Sequence, residues 1–340
     1  MTPDTSTPLS ATVLGAGAWG TTFAKVLADA GCEVRLWSRE PAVAAAINEH
    51  HRNSRFLPGI DLPASIVGTS DAAAALAGAQ LVVVAIPSQV ARAALAPMAD
   101  LIEHDAVVVS LMKGVELSTD RLMSEVVMES LAIPAERVAV VSGPNLAKEI
   151  AVEQPTATVV ASASERTAAL VARACASPYF RPYTNDDVVG VELSGAVKNV
   201  IALAVGIAQG LGYGWNTSAT LITRGLVEIT RLGMALGAKP ETFAGLAGMG
   251  DLVATCASPL SRNHTLGNHL GKGLTLEEAL AATGGTAEGV KSSQSVLDLA
   301  NKHDVEMPIT AGVVAVVTGQ MPVEALGPML LSRPQKAERV

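Results

Sequence analysis

Aromatic side chains are scarce: Phe, Trp and Tyr make up 3% of the 340 residues, so aliphatic side chains and alanine must pack any core. Charge is sparse too. Charged residues are 16% of the chain against 49% hydrophobic, and this excludes a disordered protein, which needs the opposite balance. Positive charge in particular is short, with 24 Lys and Arg against 32 Asp and Glu and a net charge of −8. A general binder of nucleic acid or of anionic membranes is thereby excluded, because phosphate surfaces attract basic proteins. A local basic pocket for one phosphorylated small molecule is still compatible with this balance. The three cysteines, Cys32, Cys175 and Cys256, are odd in number and far apart, with no metal-ligand spacing. They read as free thiols of a cytoplasmic protein, and no metal site is expected. The opening MTPDTSTPLS has neither a positive n-region nor an apolar h-region, so it is not a signal peptide; residues 1–10 read as a disordered tail. Long uncharged apolar runs are missing as well. The best candidate, residues 187–211, carries Asp187, Glu192, Lys198 and Asn199, and no membrane span is expected.

The length suggests two domains. The first half alternates short β-branched runs with alanine-rich helical stretches. The runs are ATVLGAG (11–17), CEVRLWS (32–38), ASIVGTS (64–70), LVVVAIP (81–87), AVVVSLM (106–112), RVAVVSG (137–143) and TATVVAS (156–162). Such a pattern predicts an α/β domain over 11–186, a doubly wound, mostly parallel sheet with both faces covered. After RPYTNDD the strands stop and long helical patterns take over, predicting an all-helical domain over 187–330 and a frayed tail over 331–340.

Residues 15–20, GAGAWG, follow a strand and open a helix, the context that gives G-x-G-x-x-G its meaning. Gly15 permits a tight turn, Gly17 lets the backbone approach a pyrophosphate on the helix N-terminus, and Gly20 lets helix and strand pack closely. The second strand ends Trp37-Ser38-Arg39-Glu40. Arg39 suits the 2′-phosphate of NADPH through its fork of donors, whereas Glu40 suits the ribose diol of NADH. NADPH use, alongside NADH, is the expectation.

In the second half, GAVKNVIALAVGIAQG (195–210) is apolar nearly all round, which predicts a buried helix. Lys198 lies on a face with Val191, Ser194, Gly195 and Val205, where small neighbours leave room for a ligand. Burial lowers an ammonium's pKa and fits it for proton transfer near neutral pH; snorkelling at a helix surface is the competing reading. Downstream, GMGDLVATC brings Asp251, and Ser261-Arg262-Asn263 groups a hydroxyl, a guanidinium and an amide suited to a phosphate, or else to a solvated loop. SLMKG (110–114) and SGPNLAKE (142–149) end two strands with Lys113 and with Gly143, Asn145 and Ala147, at the carboxyl ends where ligands of doubly wound sheets lie.

Taken in order, GAGAWG, FLPGI (56–60), SLMKG, SGPNLAKE, GAVKNVIALAVGIAQG, GMGDLVATC, SRN and AEG (287–289) resemble the bacterial form of the NAD(P)-dependent glycerol-3-phosphate dehydrogenase family, over about residues 11–320. The resemblance implies a Rossmann-like domain followed by a helical domain, and interconversion of dihydroxyacetone phosphate and sn-glycerol 3-phosphate with NADPH or NADH, supplying phospholipid synthesis. It implies that Lys198 is the general acid/base and that Lys113, Gly143, Asn145, Lys198, Asp251, Ser261, Arg262 and Asn263 contact substrate. It further implies that Trp19, Arg39, Lys113, Ala147, Arg262 and Glu288 border the cofactor held by Gly15, Gly17 and Gly20, and that the protein is a homodimer. Asn145 departs from the family, which usually has a small hydroxyl residue there. Two other readings remain: a 3-hydroxyacid or 6-phosphogluconate-type dehydrogenase, which usually spaces its pair as K-x-x-N rather than Lys198-Asn199, and a non-catalytic NAD(P)H sensor.

Overall fold

The computed structural model describes residues 8–284, 288–332 and 334. Two compact units emerge: one from Met1–Met112 and Met123–Val188, the other from Lys113–Leu122 and Val189–Val340. The first unit is therefore not one unbroken stretch. Ten residues shortly after the fifth strand, Lys113–Leu122, belong to the helical unit.

The first unit is built on one eight-stranded sheet, β1 (Ser10–Leu14), β2 (Glu33–Trp37), β3 (Val67–Thr69), β4 (Leu81–Val84), β5 (Val107–Ser110), β6 (Val138–Ser142), β7 (Thr156–Ala161) and β8 (Phe180–Asn185), in the order 3-2-1-4-5-6-7-8. All neighbours pair in parallel except β6 and β7, which run antiparallel with Val141 opposite Val160. The apolar runs are continuous because both faces are covered. In β4, Leu81 and Val83 join one core while Val82 and Val84 join another; in β5, Val107 and Val109 separate from Val108 in the same way. This is the period of two in a strand sandwiched between helices. The strand β8 has no counterpart among the predicted runs. Phe180 is its one buried side chain, it contains Pro182, and it stands at the edge of the sheet, the position where proline is tolerated.

The helices that position functional groups are labelled here α1 (Ala18–Asp29), α2 (Pro41–His50), α3 (Val188–Gly210), α4 (Asp251–Ala257), α5 (Arg262–Gly271) and α6 (Glu288–Lys302). The second unit is helical apart from an isolated bridge between Val115 and Leu122, among the described residues. Its core forms around α3, in which every residue from Gly190 to Ala208 is buried. By length and apolar composition α3 could cross a membrane, but 89% of its most apolar window is buried inside the fold. It is the core helix of its unit. Glycines let α5 lie against it: a Cβ on Gly206 would sit 2.1 Å from the carbonyl oxygen of His264, and one on Gly267 would sit 2.2 Å from that of Leu203.

Two terminal expectations need correction. Ser10 already belongs to β1, and Leu331 closes a last helix, Leu326–Leu331. Of the two predicted tails, residues 1–7, 333 and 335–340 lie outside the described residues, as does Ala287 of the AEG motif.

Candidate functional site

In the first unit the glycine turn follows β1. Gly15 has φ +114°, and a Cβ there would lie 2.6 Å from the carbonyl oxygen of Ala85, so only glycine fits. Gly20 is equally constrained, since a Cβ would meet the carbonyl oxygen of Gly15 at 2.0 Å. Gly17 differs: nothing stands within 4 Å of the position a Cβ would take. It is the N-cap residue of α1 and, having no side chain, makes no capping hydrogen bond there. There is thus open space beside Gly17 at the N-terminus of α1, where the positive end of the helix dipole lies, which fits a pyrophosphate. The turn is also braced from a distance. Asn53, buried, donates from Nδ2 to the Ala16 carbonyl and to Thr21 Oγ1, both at 2.8 Å.

Around this turn, Trp19 packs edge-on against Phe23, and its buried Nε1 has no hydrogen-bond partner among the described residues. Arg39 is exposed just beyond β2 and makes no ion pair among the described residues. Glu40, the alternative ribose ligand, is not free: its carboxylate pairs with Arg55. At the end of β6, Gly143 takes φ +153°, and the Asn145 amide donates to Thr158 Oγ1 at 3.0 Å. That leaves Asn145 Oδ1 buried and without a partner among the described residues. The Ala147 carbonyl accepts from Thr22 Oγ1 of α1 at 3.2 Å, which brings the SGPNLAKE turn beside the glycine-turn helix.

The second unit gathers the charged groups. Lys198, in the middle of α3, is buried, and its Nζ pairs with Asp251 Oδ1 and donates to Thr255 Oγ1 at 2.7 Å. Lys113 reaches the other carboxylate oxygen, Oδ2, at 2.6 Å. One buried carboxylate thus holds two ammonium groups. Burial lowers the Lys198 pKa to about 8, assisted by the charge of Lys113 and opposed by that of Asp251. An ordinary lysine near 10.5 is a poor proton donor at neutral pH; one near 8 is matched to the task. Nearby Cys256 is buried, with its thiol pushed up to about 12 by desolvation. It stays a protonated, inert thiol.

The SRN segment forms the N-terminus of α5. Ser261 is the N-cap, its Oγ accepting from the His264 amide at 3.3 Å. Its hydroxyl proton therefore stays available to an anion at a helix end that already favours one. Asn263 Oδ1 accepts from the Gly289 amide at 3.0 Å, which fixes the carboxamide with its NH2 as the remaining donor. Arg262 is exposed at the first helical position. Glu288 opens α6 as the acid of its first turn, where a carboxylate favours the helix dipole.

The structure thus brings Lys113, Lys198 and Asp251 into direct contact in one unit, and the fingerprint glycines and Ala147 together in the other. Two residues had not been singled out from the sequence. Thr255 is one helical turn from Asp251, a spacing of four that places both on one face. Asn53 lies just before FLPGI, and nothing in its spacing announces a contact with a turn so far away in sequence.

Comparison with known proteins gives a consistent picture. Residues 10–168 match the family described as NAD-dependent glycerol-3-phosphate dehydrogenase N-terminus, and residues 187–327 match its C-terminus. A glycerol-3-phosphate dehydrogenase [NAD(P)+] of Streptomyces griseus is 61% identical over 98% of this chain and 99% of its own. One of Thermobifida fusca is 57% identical over 96% and 98%. Among solved structures, a glycerol-3-phosphate dehydrogenase of Coxiella burnetii superimposes with a TM-score of 0.91 at 39% identity, covering 96% of this chain and 99% of that one.

Proposed function

Because this chain belongs to the NAD-dependent glycerol-3-phosphate dehydrogenase family, we propose that it interconverts dihydroxyacetone phosphate and sn-glycerol 3-phosphate, using NADPH and NADH, with Lys198 as its acid/base. The observation that carries this reading is the buried Lys198, held by Asp251 and Thr255 with a pKa near 8. When bound, the reduced nicotinamide supplies the hydride. Lys198 Nζ donates a proton to the ketone oxygen as negative charge develops there, and takes it back in the reverse reaction. Lys113 adds positive potential beside that oxygen, and Asp251 holds both ammoniums in place. Ser261, Arg262 and Asn263 receive the phosphate at the N-terminus of α5. Gly143 and Asn145 contact the substrate, with Asn145 Oδ1 as an acceptor for a hydroxyl group.

Gly15, Gly17 and Gly20 cradle the pyrophosphate of the dinucleotide, and Trp19, Arg39, Lys113, Ala147, Arg262 and Glu288 border it. Arg39 receives the 2′-phosphate of NADPH. The protein works as a cytoplasmic homodimer that supplies glycerol 3-phosphate to phospholipid synthesis. The Lys198-Asn199 adjacency, in place of K-x-x-N, disfavours a hydroxyacid substrate.

The test is the loss of NADPH and NADH absorbance with dihydroxyacetone phosphate, compared with 6-phosphogluconate in the reverse direction. Turnover with the ketose phosphate alone is expected. Cofactor binding without turnover of either substrate would overturn the reaction assigned here.

A further inference from the structure

The end of β2 carries two residues with opposite implications for the dinucleotide. Arg39 attracts a 2′-phosphate, whereas a bare carboxylate on Glu40 repels one and instead accepts from a ribose hydroxyl. Glu40 is the N-cap residue of α2, yet its side chain does not cap the helix. It pairs with Arg55. Arg55 is itself placed by the cofactor turn. Two residues earlier, Asn53 ties the same segment to Ala16 and Thr21, and the Arg55 guanidinium lies over the Phe56 ring, 5.0 Å from its centre. The stretch 53–56 therefore spans from the pyrophosphate turn to the residue that reads the ribose.

We propose that Arg55 is a specificity-determining residue, which shields Glu40 so that one site accepts both NADPH and NADH. This rests on the dinucleotide reading above. The pair is solvent-facing, with side-chain exposures of 61% for Arg55 and 33% for Glu40. Ion pairs so exposed contribute little to stability and open at little cost. With NADPH, Arg55 neutralises Glu40 and offers a second guanidinium to the phosphate that Arg39 receives. With NADH, a carboxylate oxygen of Glu40 accepts from the ribose hydroxyl while Arg55 keeps the other.

The experiment is equilibrium binding of NADPH and of NADH to the full-length protein by titration calorimetry, without substrate. Arg55→Ala is expected to weaken NADPH about tenfold, or about 1.4 kcal/mol, and to leave NADH within about twofold. Arg55→Lys should restore part of the NADPH affinity, because it returns the charge without the fork. In a Glu40→Gln background the Arg55→Ala loss should shrink, since there is no longer a carboxylate to shield. An equal loss for both dinucleotides, or no change for either, overturns the role of Arg55. Thermal unfolding of each variant separates a local effect from a folding failure, and Arg55→Lys keeps the question open to measurement if Arg55→Ala does not fold. If the wild-type protein binds neither dinucleotide, the cofactor reading itself fails, a result distinct from an unchanged ratio.

Discussion

Lys198 is a residue whose chemistry is set by its neighbours. Its ammonium is buried, shares one carboxylate with Lys113, and donates to Thr255. Lys198→Ala is expected to lower kcat by about 10²–10⁴-fold while dinucleotide affinity stays near that of the wild type, as parallel kinetics and calorimetry would show. A pH profile provides a second check with a definite sign. With Lys198 as the proposed acid/base, reduction of the ketone uses the protonated lysine, so its kcat should fall as pH rises through about 8, whereas oxidation of the alcohol, which uses the neutral amine, should rise through the same range. Thr255→Val removes an acceptor from the ammonium and favours the neutral form. The reduction profile of that variant should break at lower pH than the wild type's, and an unchanged break would assign Thr255 a packing role only.

At the scale of elements, the glycine-turn helix and the α3–α5 crossing do different work. The first leaves its N-terminus open at Gly17. The second brings two backbones together, so that Gly206 and Gly210 on α3 face Gly267 and Gly271 on α5. Gly267→Ala would drive a methyl group into the Leu203 carbonyl. A loss of about 1–3 kcal/mol, seen as a lower Tm, is expected from such overpacking. The same push would shift the Ser261 cap, so KM for the phosphorylated substrate should rise along with it.

Much of this was legible in the sequence. The β-branched runs marked seven of the eight strands: the six interior ones, which are apolar on both faces, and the edge strand β3, whose short run ASIVGTS carries Ile66 and Val67. The strand β8 escaped because an edge strand with one buried side chain and a proline carries no such signature. Ser261 shows the same limit in the site. Its place beside Arg262 suggested a phosphate ligand, but only the fold shows that it is also a helix cap. Asn53 and the Glu40–Arg55 pair were not legible at all, since each joins segments that only the tertiary structure brings near.

For the molecule as a whole, the two units are not two lengths of chain. Lys113–Leu122 leaves the sheet unit and is counted with the helices. Val115 and Leu122 lie in the helical core, and Asp120 pairs with Lys302 of α6. Burial also protects the three cysteines, with Cys32 pushed up to about 11 and Cys175 to about 12 by desolvation. A thiol reagent should therefore label the native protein slowly and all three sites rapidly in denaturant, which mass spectrometry would resolve.

The arm at 113–122 bears on how such a gene can be recombined. A crossover at residue 187 looks clean on paper, yet it inherits Lys113 from one parent and the Asp251 and Lys198 that it meets from the other. A chimera of two relatives in which 113–122 travels with the C-terminal parent keeps that set together, and should retain more activity and a higher Tm than one cut at 187 alone. In this protein the heritable block for the Lys113–Asp251–Lys198 set is discontinuous, and its smaller piece is ten residues embedded in the other half of the gene.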